Sequence, residues 1–185
     1  MMRPLLAAAG ALAALALAAP QAQAACSELP LERTFLPWHD LAFYQEAPDS
    51  GFEAGGSWTL AGDAAVVDGN QPYFAGSKSL ELPPGASATT APICVTVEHP
   101  TIRFFARNTG STLAPLTITA QFKTLLGLQL ELPVGVVLGG DEWQPTLPQV
   151  IVGNLLSNEV RFRFSAASGS DWQIDDVYVD PYSKG

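Results

Sequence analysis

Apolar and polar positions alternate with a period of two through much of the chain, and no long window carries the spacing of an amphipathic helix. At 101–107, Ile102, Phe104 and Ala106 share one face while Arg103, Phe105 and Arg107 share the other. Val160, Phe162 and Phe164 oppose Arg161 and Arg163 in the same way. So do Ile118, Ala120 and Phe122 against Thr117, Thr119, Gln121 and Lys123. Between such runs turn residues recur at short intervals, among them Pro48-Asp49-Ser50-Gly51, Asp68-Gly69-Asn70, Asn108-Thr109-Gly110 and Ser168-Gly169-Ser170-Asp171. These signals predict strands at 58–60, 64–67, 79–82, 101–107, 116–123, 128–137, 160–165 and 172–179. Half-buried strands with no helices to cover them imply two antiparallel sheets packed face to face. The expected fold is all-β, a two-sheet antiparallel β-sandwich of jelly-roll type.

The first 24 residues break the pattern. Arg3, an apolar run at 5–19, Pro20 and then Ala22-Gln23-Ala24 give the charge, short apolar stretch and small-x-small site of a secretory signal peptide. The run is shorter than the ~20 residues a spanning helix needs, so no membrane insertion is expected. One sandwich domain is expected over 25–185, in the extracellular space or cell envelope. Cys26 leaves a lipoprotein reading open, although that pathway prefers Leu where Gln23 stands. The Ala-rich leader and the preference for Arg over Lys suggest a bacterial chain.

Setting the leader aside changes the composition. The apolar share drops from 48% for the whole chain to about 44%, an ordinary value for a packed domain. Eight Lys and Arg then face eighteen Asp and Glu, a net charge of −10. A surface this acidic repels phosphate backbones, which excludes nucleic acid as a partner. Export meets an oxidising compartment, and the two cysteines pair without remainder as Cys26–Cys94, with two buried free thiols as the alternative. A monomer is expected.

Three segments resemble a known family. Ser50-Gly51-Phe52-Glu53 followed by Gly56-Ser57-Trp58, then Gly76-Ser77-Lys78-Ser79-Leu80, then Trp172-Gln173-Ile174-Asp175-Asp176-Val177 are similar, in order and spacing, to motifs of jelly-roll, galactose-binding-like carbohydrate-binding modules. The resemblance covers residues 51–181. It implies carbohydrate binding and a structural calcium held by Glu53, Asp175 and a backbone carbonyl near Lys78. Asp49-Ser50 stands where the family often has Asn-Gly, a departure that touches the remaining ligands.

Sugar recognition needs flat aromatic surfaces with polar groups reaching the hydroxyls. Tyr73-Phe74, in a turn-rich stretch, is the candidate exposed pair, with a buried loop plug as the alternative. Trp58, Trp143 and Trp172 begin predicted strands and are expected between the sheets. Arg103, Arg107, Lys123, Arg161 and Arg163 all lie antiphase to core positions. If their strands share a sheet, they line one outer face with Phe105 and Gln121, suited to an acidic glycan; solvent-facing strand residues are the bland alternative. Catalysis is not expected. No Gly-x-Ser-x-Gly elbow exists, and only His39 and His99 are available as bases. The reading is a secreted, non-catalytic sandwich that binds glycan. A structural or protein-interaction domain and a small polysaccharide lyase or hydrolase are the other classes.

Overall fold

The computed structural model describes residues 30–95, 101–123, 127–151 and 159–180. The leader, Cys26 and His99 lie outside the described residues.

Among the described residues, thirteen strands run in chain order as β1 (Gln45–Glu46), β2 (Thr59–Ala61), β3 (Ala65–Asp68), β4 (Lys78–Leu82), β5 (Ser87–Thr89), β6 (Ile93–Cys94), β7 (Thr101–Asn108), β8 (Leu116–Lys123), β9 (Gln129–Val137), β10 (Gln144–Pro145), β11 (Gln149–Val150), β12 (Glu159–Ala166) and β13 (Trp172–Asp180). The described residues hold a single 3₁₀ turn, Leu36–Trp38, and no helix long and apolar enough to cross a membrane. The first sheet is ordered β10-β7-β13-β4-β3, with β1 on β13 and β11 on β7. The second is β2-β5-β12-β8-β9, with β6 on β12. Every pairing is antiparallel. The fold is therefore the all-β, two-sheet sandwich that the alternation predicts.

Alternation places the core. Ile102, Phe104 and Ala106 of β7, Ile174 of β13 and Leu80 and Leu82 of β4 face Ile118, Ala120 and Phe122 of β8 and Phe162 and Phe164 of β12, all buried. Phe164 packs edge-on to Phe104 at 5.1 Å and stacks on Trp58 at 5.7 Å. Trp58 and Trp172 lie between the sheets, as expected; Trp143 does not.

A second apolar layer lies outside the sandwich. Phe35, Tyr44 and Phe105 are fully buried there, with Trp38, Ala42, Phe74, Trp143 and Tyr178 packed against them. Residues 30–46 form this cover. The chain is bridged at Glu32–Tyr44, turns through Leu36–Trp38, reverses at left-handed His39 and ends in β1 against β13. Pro37 pre-sets the turn. The strand patterning is silent about this segment because its inward-facing apolar residues, Phe35, Trp38, Ala42 and Tyr44, fall at irregular spacing, Leu31, Leu36 and Leu41 stay exposed, and only its last two residues pair with the sheet.

Candidate functional site

β7 pairs with β13, whereas β8 and β12 pair with each other in the opposite sheet. The single cationic face expected from Arg103, Arg107, Lys123, Arg161 and Arg163 is therefore divided between two faces that point away from each other. Arg103 and Phe105 are also unavailable to a ligand. Phe105 is 0% exposed, with Phe35 stacked on it at 5.4 Å and Trp38, Tyr73 and Phe74 around it. Arg103 lies over the Phe35 ring at 4.2 Å, donates Nε–H to the Thr146 carbonyl at 2.6 Å and meets Asp40 at 2.5 Å. Burial pushes the Asp40 carboxyl up, but hydrogen bonds from Tyr44 and Ala42 and the Arg103 charge outweigh it and hold the group below its usual range. Tyr73 and Phe74 divide similarly: Phe74 plugs the cluster, while Tyr73 keeps 41% of its surface in solvent.

A bulge in β13 builds the acidic site. β4 pairs with Trp172–Ile174, the β7 register shifts between Asp175 and Tyr178, and β1 takes over at Tyr178–Val179. Asp176 adopts φ 46° in the middle of the strand, a conformation costly for a non-glycine residue and held only by its surroundings. Without the bulge, successive carboxylates would point to opposite faces. With it, both grip Gln71: Asp175 accepts from the Gln71 N–H at 3.0 Å and Asp176 from its side-chain amide at 2.7 Å. Burial, reinforced by the Asp176 charge, pushes Asp175 up to about 8. Burial also lifts Asp176 to about 6 against the Gln71 hydrogen bond, with the charges of Glu46 and Glu53 adding to the rise.

Glu53 completes the group. Its carboxylate accepts from the Ser77 and Lys78 N–H groups and from the Ser77 hydroxyl, and these bonds lower its pKa. Glycines make the approach possible. A Cβ on Gly51 would sit 3.1 Å from Asp176 Oδ1, and one on Gly76 would sit 2.9 Å from Asn70 Nδ2 and 3.3 Å from Glu53 Oε1. Ser79, one step beyond the Leu80–Ile174 pair and so opposite Asp175, keeps a buried hydroxyl with no partner among the described residues. The donor set is hard oxygen, as calcium requires, and no ion pair among the described residues neutralises Asp175 or Asp176. No three carboxylate, His or Cys side chains converge closely enough among those residues to hold an ion alone. Backbone oxygens would have to complete the shell, and Lys78 meets Glu53 through its amide N–H, not its carbonyl.

The outer face of the second sheet is open. Arg163 aligns with Thr119 on one side and Thr89 on the other, Arg161 with Gln121, and Gln121 in turn with Glu131, its hydrogen-bond partner. Arg161 is exposed and Arg163 half-buried. At one end a groove of about 540 Å³ is lined by Gln121, Lys123, Gln129, Glu159 and Arg161, among others. No ion pair among the described residues engages Arg161, Arg163 or Lys123.

No family model matches the chain, and no curated protein matches it. Solved structures do. The CBM22-1 xylan-binding domain from Paenibacillus barcinonensis Xyn10C superposes with a TM-score of 0.56 at 15% identity, over 74% of this chain and 94% of that one. The fold is that of the jelly-roll carbohydrate-binding modules. The Clostridium thermocellum Xyn10B CBM22-1-GH10 structure complexed with xylohexaose gives 0.54 at 12% identity, over 76% of this chain but 28% of that larger one. An enzymatically active domain of Bacteriophage CBA120 tailspike protein 4 also gives 0.54, at 17% identity, over 72% of this chain and 21% of that one. At such identities the likeness is one of jelly-roll architecture, and ligand chemistry rests on the residues above.

Proposed function

We propose that the protein is an exported, non-catalytic module that binds an acidic polysaccharide through the outer face of its second sheet. The observation that carries this reading is the row Arg161, Arg163 and Lys123, which no ion pair among the described residues engages, beside Gln121 on the outer face of a jelly roll; Arg163 also donates to the Ser87 hydroxyl at 3.3 Å. Guanidinium groups match carboxylates in geometry, and neighbouring amides and hydroxyls suit sugar hydroxyls. A local cationic face on an acidic protein also gives a uronate chain one place to settle. What supports leaving catalysis out is the state of His39 and its neighbour. His39 is an exposed residue ending a 3₁₀ turn, and Asp40 is already committed to Arg103, Tyr44 and Ala42. Structural calcium at Glu53, Asp175 and Asp176 is part of the proposal, as is a Cys26–Cys94 disulfide. Cys94 ends β6, and Cys26 lies outside the described residues.

The test is calorimetric titration of the chain lacking residues 1–24 with polygalacturonate, and with xylan because one solved structure of the same fold is named for binding it. Polygalacturonate is expected to bind and to weaken with added salt. Arg161→Ala and Arg163→Ala are each expected to lower affinity about tenfold, the usual scale for a hydrogen bond to a charged group. Unchanged affinity in the double variant would remove the site.

A further inference from the structure

Gln71 joins the acidic pair to a surface loop. It is fully buried, and four hydrogen bonds converge on it. On one side its backbone N–H holds Oδ2 of Asp175 at 3.0 Å and its side-chain amide holds Oδ2 of Asp176 at 2.7 Å, partners 104 and 105 residues further along the chain. On the other side its Oε1 accepts the backbone N–H of Tyr73 at 2.6 Å and of Phe74 at 3.0 Å. Those two donors fix which way the amide points. With Oε1 turned to them, Nε2 must face Asp176; a flipped amide would set oxygen against carboxylate and donor against donor. Pro72 has no N–H to offer, so the next two residues supply both donors.

From Tyr73 and Phe74 the contacts continue into the outer aromatic layer. Asn70 Nδ2 donates to the Phe74 carbonyl at 3.0 Å and closes the loop from its other end. Phe74 packs edge-on to Phe105 at 5.4 Å. The Tyr73 ring meets Trp38 edge-on at 4.9 Å, and its hydroxyl donates to the Trp143 carbonyl at 2.9 Å. Trp38 belongs to the 30–46 cover and Trp143 precedes β10, so this loop ties the two together. A single side chain therefore stands between the carboxylates and the loop that carries the half-exposed Tyr73.

We propose that Gln71 is a positioning residue that couples cation binding at the acidic pair to the order of the Tyr73–Phe74 loop. This rests on the calcium reading above and adds a consequence at the surface. No ion pair among the described residues engages Asp175 or Asp176, so without a cation the two neighbouring carboxyl groups are restrained by hydrogen bonds alone. A cation held between them stops them from turning. Each keeps one oxygen on Gln71, which is then held at its backbone and at its amide, and Oε1 keeps the Tyr73 and Phe74 N–H groups in line. Groups that orient metal ligands through hydrogen bonds ordinarily change metal affinity roughly 10- to 100-fold. The coupling is reciprocal: a loop ordered by the ion must in turn tighten the ion.

The experiment is amide exchange of the same protein, read by NMR in EDTA and in calcium chloride at one pH, with calcium affinity from calorimetry. Calcium is expected to slow exchange of the Tyr73 and Phe74 N–H groups about tenfold or more, the size of an ordinary coupling. The Ser111 N–H, bonded to the Gly169 carbonyl away from the site, should change less than about twofold, which separates coupling from general stabilisation. Gln71→Met, similar in length but without the hydrogen bonds, is expected to lower calcium affinity about tenfold and to remove the calcium effect on both loop amides. Tyr73→Ala, a surface change that touches neither carboxylate, should weaken calcium about threefold through the shared coupling. If Gln71→Met fails to fold, the parent exchange rates and the Tyr73→Ala affinity decide. A parent that binds no calcium overturns the calcium reading and the coupling with it. Calcium that binds but leaves the two amides within about twofold of their EDTA rates, or that binds Tyr73→Ala as tightly as the parent, overturns the coupling alone.

Discussion

Asp40→Ala is expected to lower the unfolding free energy by about 3 kcal/mol, because removing one member of a buried ion pair strands the other. Arg103 is 7% exposed in its side chain and Asp40 18%, so the stranded guanidinium has little water to turn to. The figure sits at the low end of the usual range because Arg103 keeps the Thr146 carbonyl and the Phe35 ring. In a domain of this size the loss corresponds to a fall in Tm on the order of 10 °C. Urea denaturation followed by tryptophan fluorescence reads it directly, since Trp38 lies in the layer that would loosen. Arg103→Met in the Asp40→Ala background should recover more than half of the loss, since an apolar side chain of similar volume leaves no charge behind. A loss below about 0.5 kcal/mol would mean that the pair behaves as a solvated surface pair.

In EDTA, stability should fall as pH rises from about 4 to about 8. The sign follows from proton counting. The Asp175 carboxyl is raised to about 8 in the folded protein, from 3.8, so between those values the folded state holds a proton that the unfolded chain has released. Stability then declines with pH, being fully present below the unfolded value and lost on passing the folded one. Asp176, raised to about 6, adds in the same direction over the lower half of the window. At about 1.4 kcal/mol for each unit of difference, the rise of Asp175 alone corresponds to on the order of 6 kcal/mol. Calcium should reverse the trend, since an ion bound only by the ionised, folded carboxylates raises stability most where they are ionised. Melting curves at pH 5 and pH 8, with EDTA and with calcium chloride, give the four points needed. A Tm at pH 8 that calcium leaves unmoved would sink the calcium proposal, and a flat EDTA profile would remove the buried carboxylates as its cause.

All eight strands read from the alternation exist, at nearly the expected bounds. The period-two signal is strong wherever one face packs against the other sheet, as at Phe162 and Phe164. The short strands β1, β5, β6, β10 and β11 carry too few residues to show a period at all. Outward-facing residues were harder to read. Alternation tells that Arg103 and Arg161 both point away from the core, but sheet membership is a long-range property, and they end on opposite surfaces. Phe105 shows the same limit, since its outward position gives no hint of the aromatic layer over it. Of the acidic cluster, motif resemblance singles out Glu53 and Asp175 in the sequence, and the structure places them beside Ser77 and Gln71 respectively. Asp176 was missed as a partner because strand geometry sends neighbours apart, and only the bulge turns it back. Trp143 was misplaced between the sheets because its position just ahead of a two-residue strand says nothing about which side it faces. Turn-forming Gly139-Gly140-Asp141 immediately before it was the available signal that it sits at a sheet edge.

β13 is the last strand among the described residues, yet it lies inside the first sheet, bonded to β7 along its length and to β4 and β1 in turn on its other side. Until β13 has been synthesised, β7 and β4 have no common neighbour, and β1 at the end of residues 30–46 has no strand to pair with. A chain emerging from the ribosome amino end first must therefore wait for this strand before half of its sandwich can close. Long-range antiparallel closure of this kind is slow and leaves apolar faces open meanwhile. On the export route proposed above, with the chain crossing a membrane as an unfolded thread, that delay would keep it translocatable until β13 arrives, and folding would then complete on the far side.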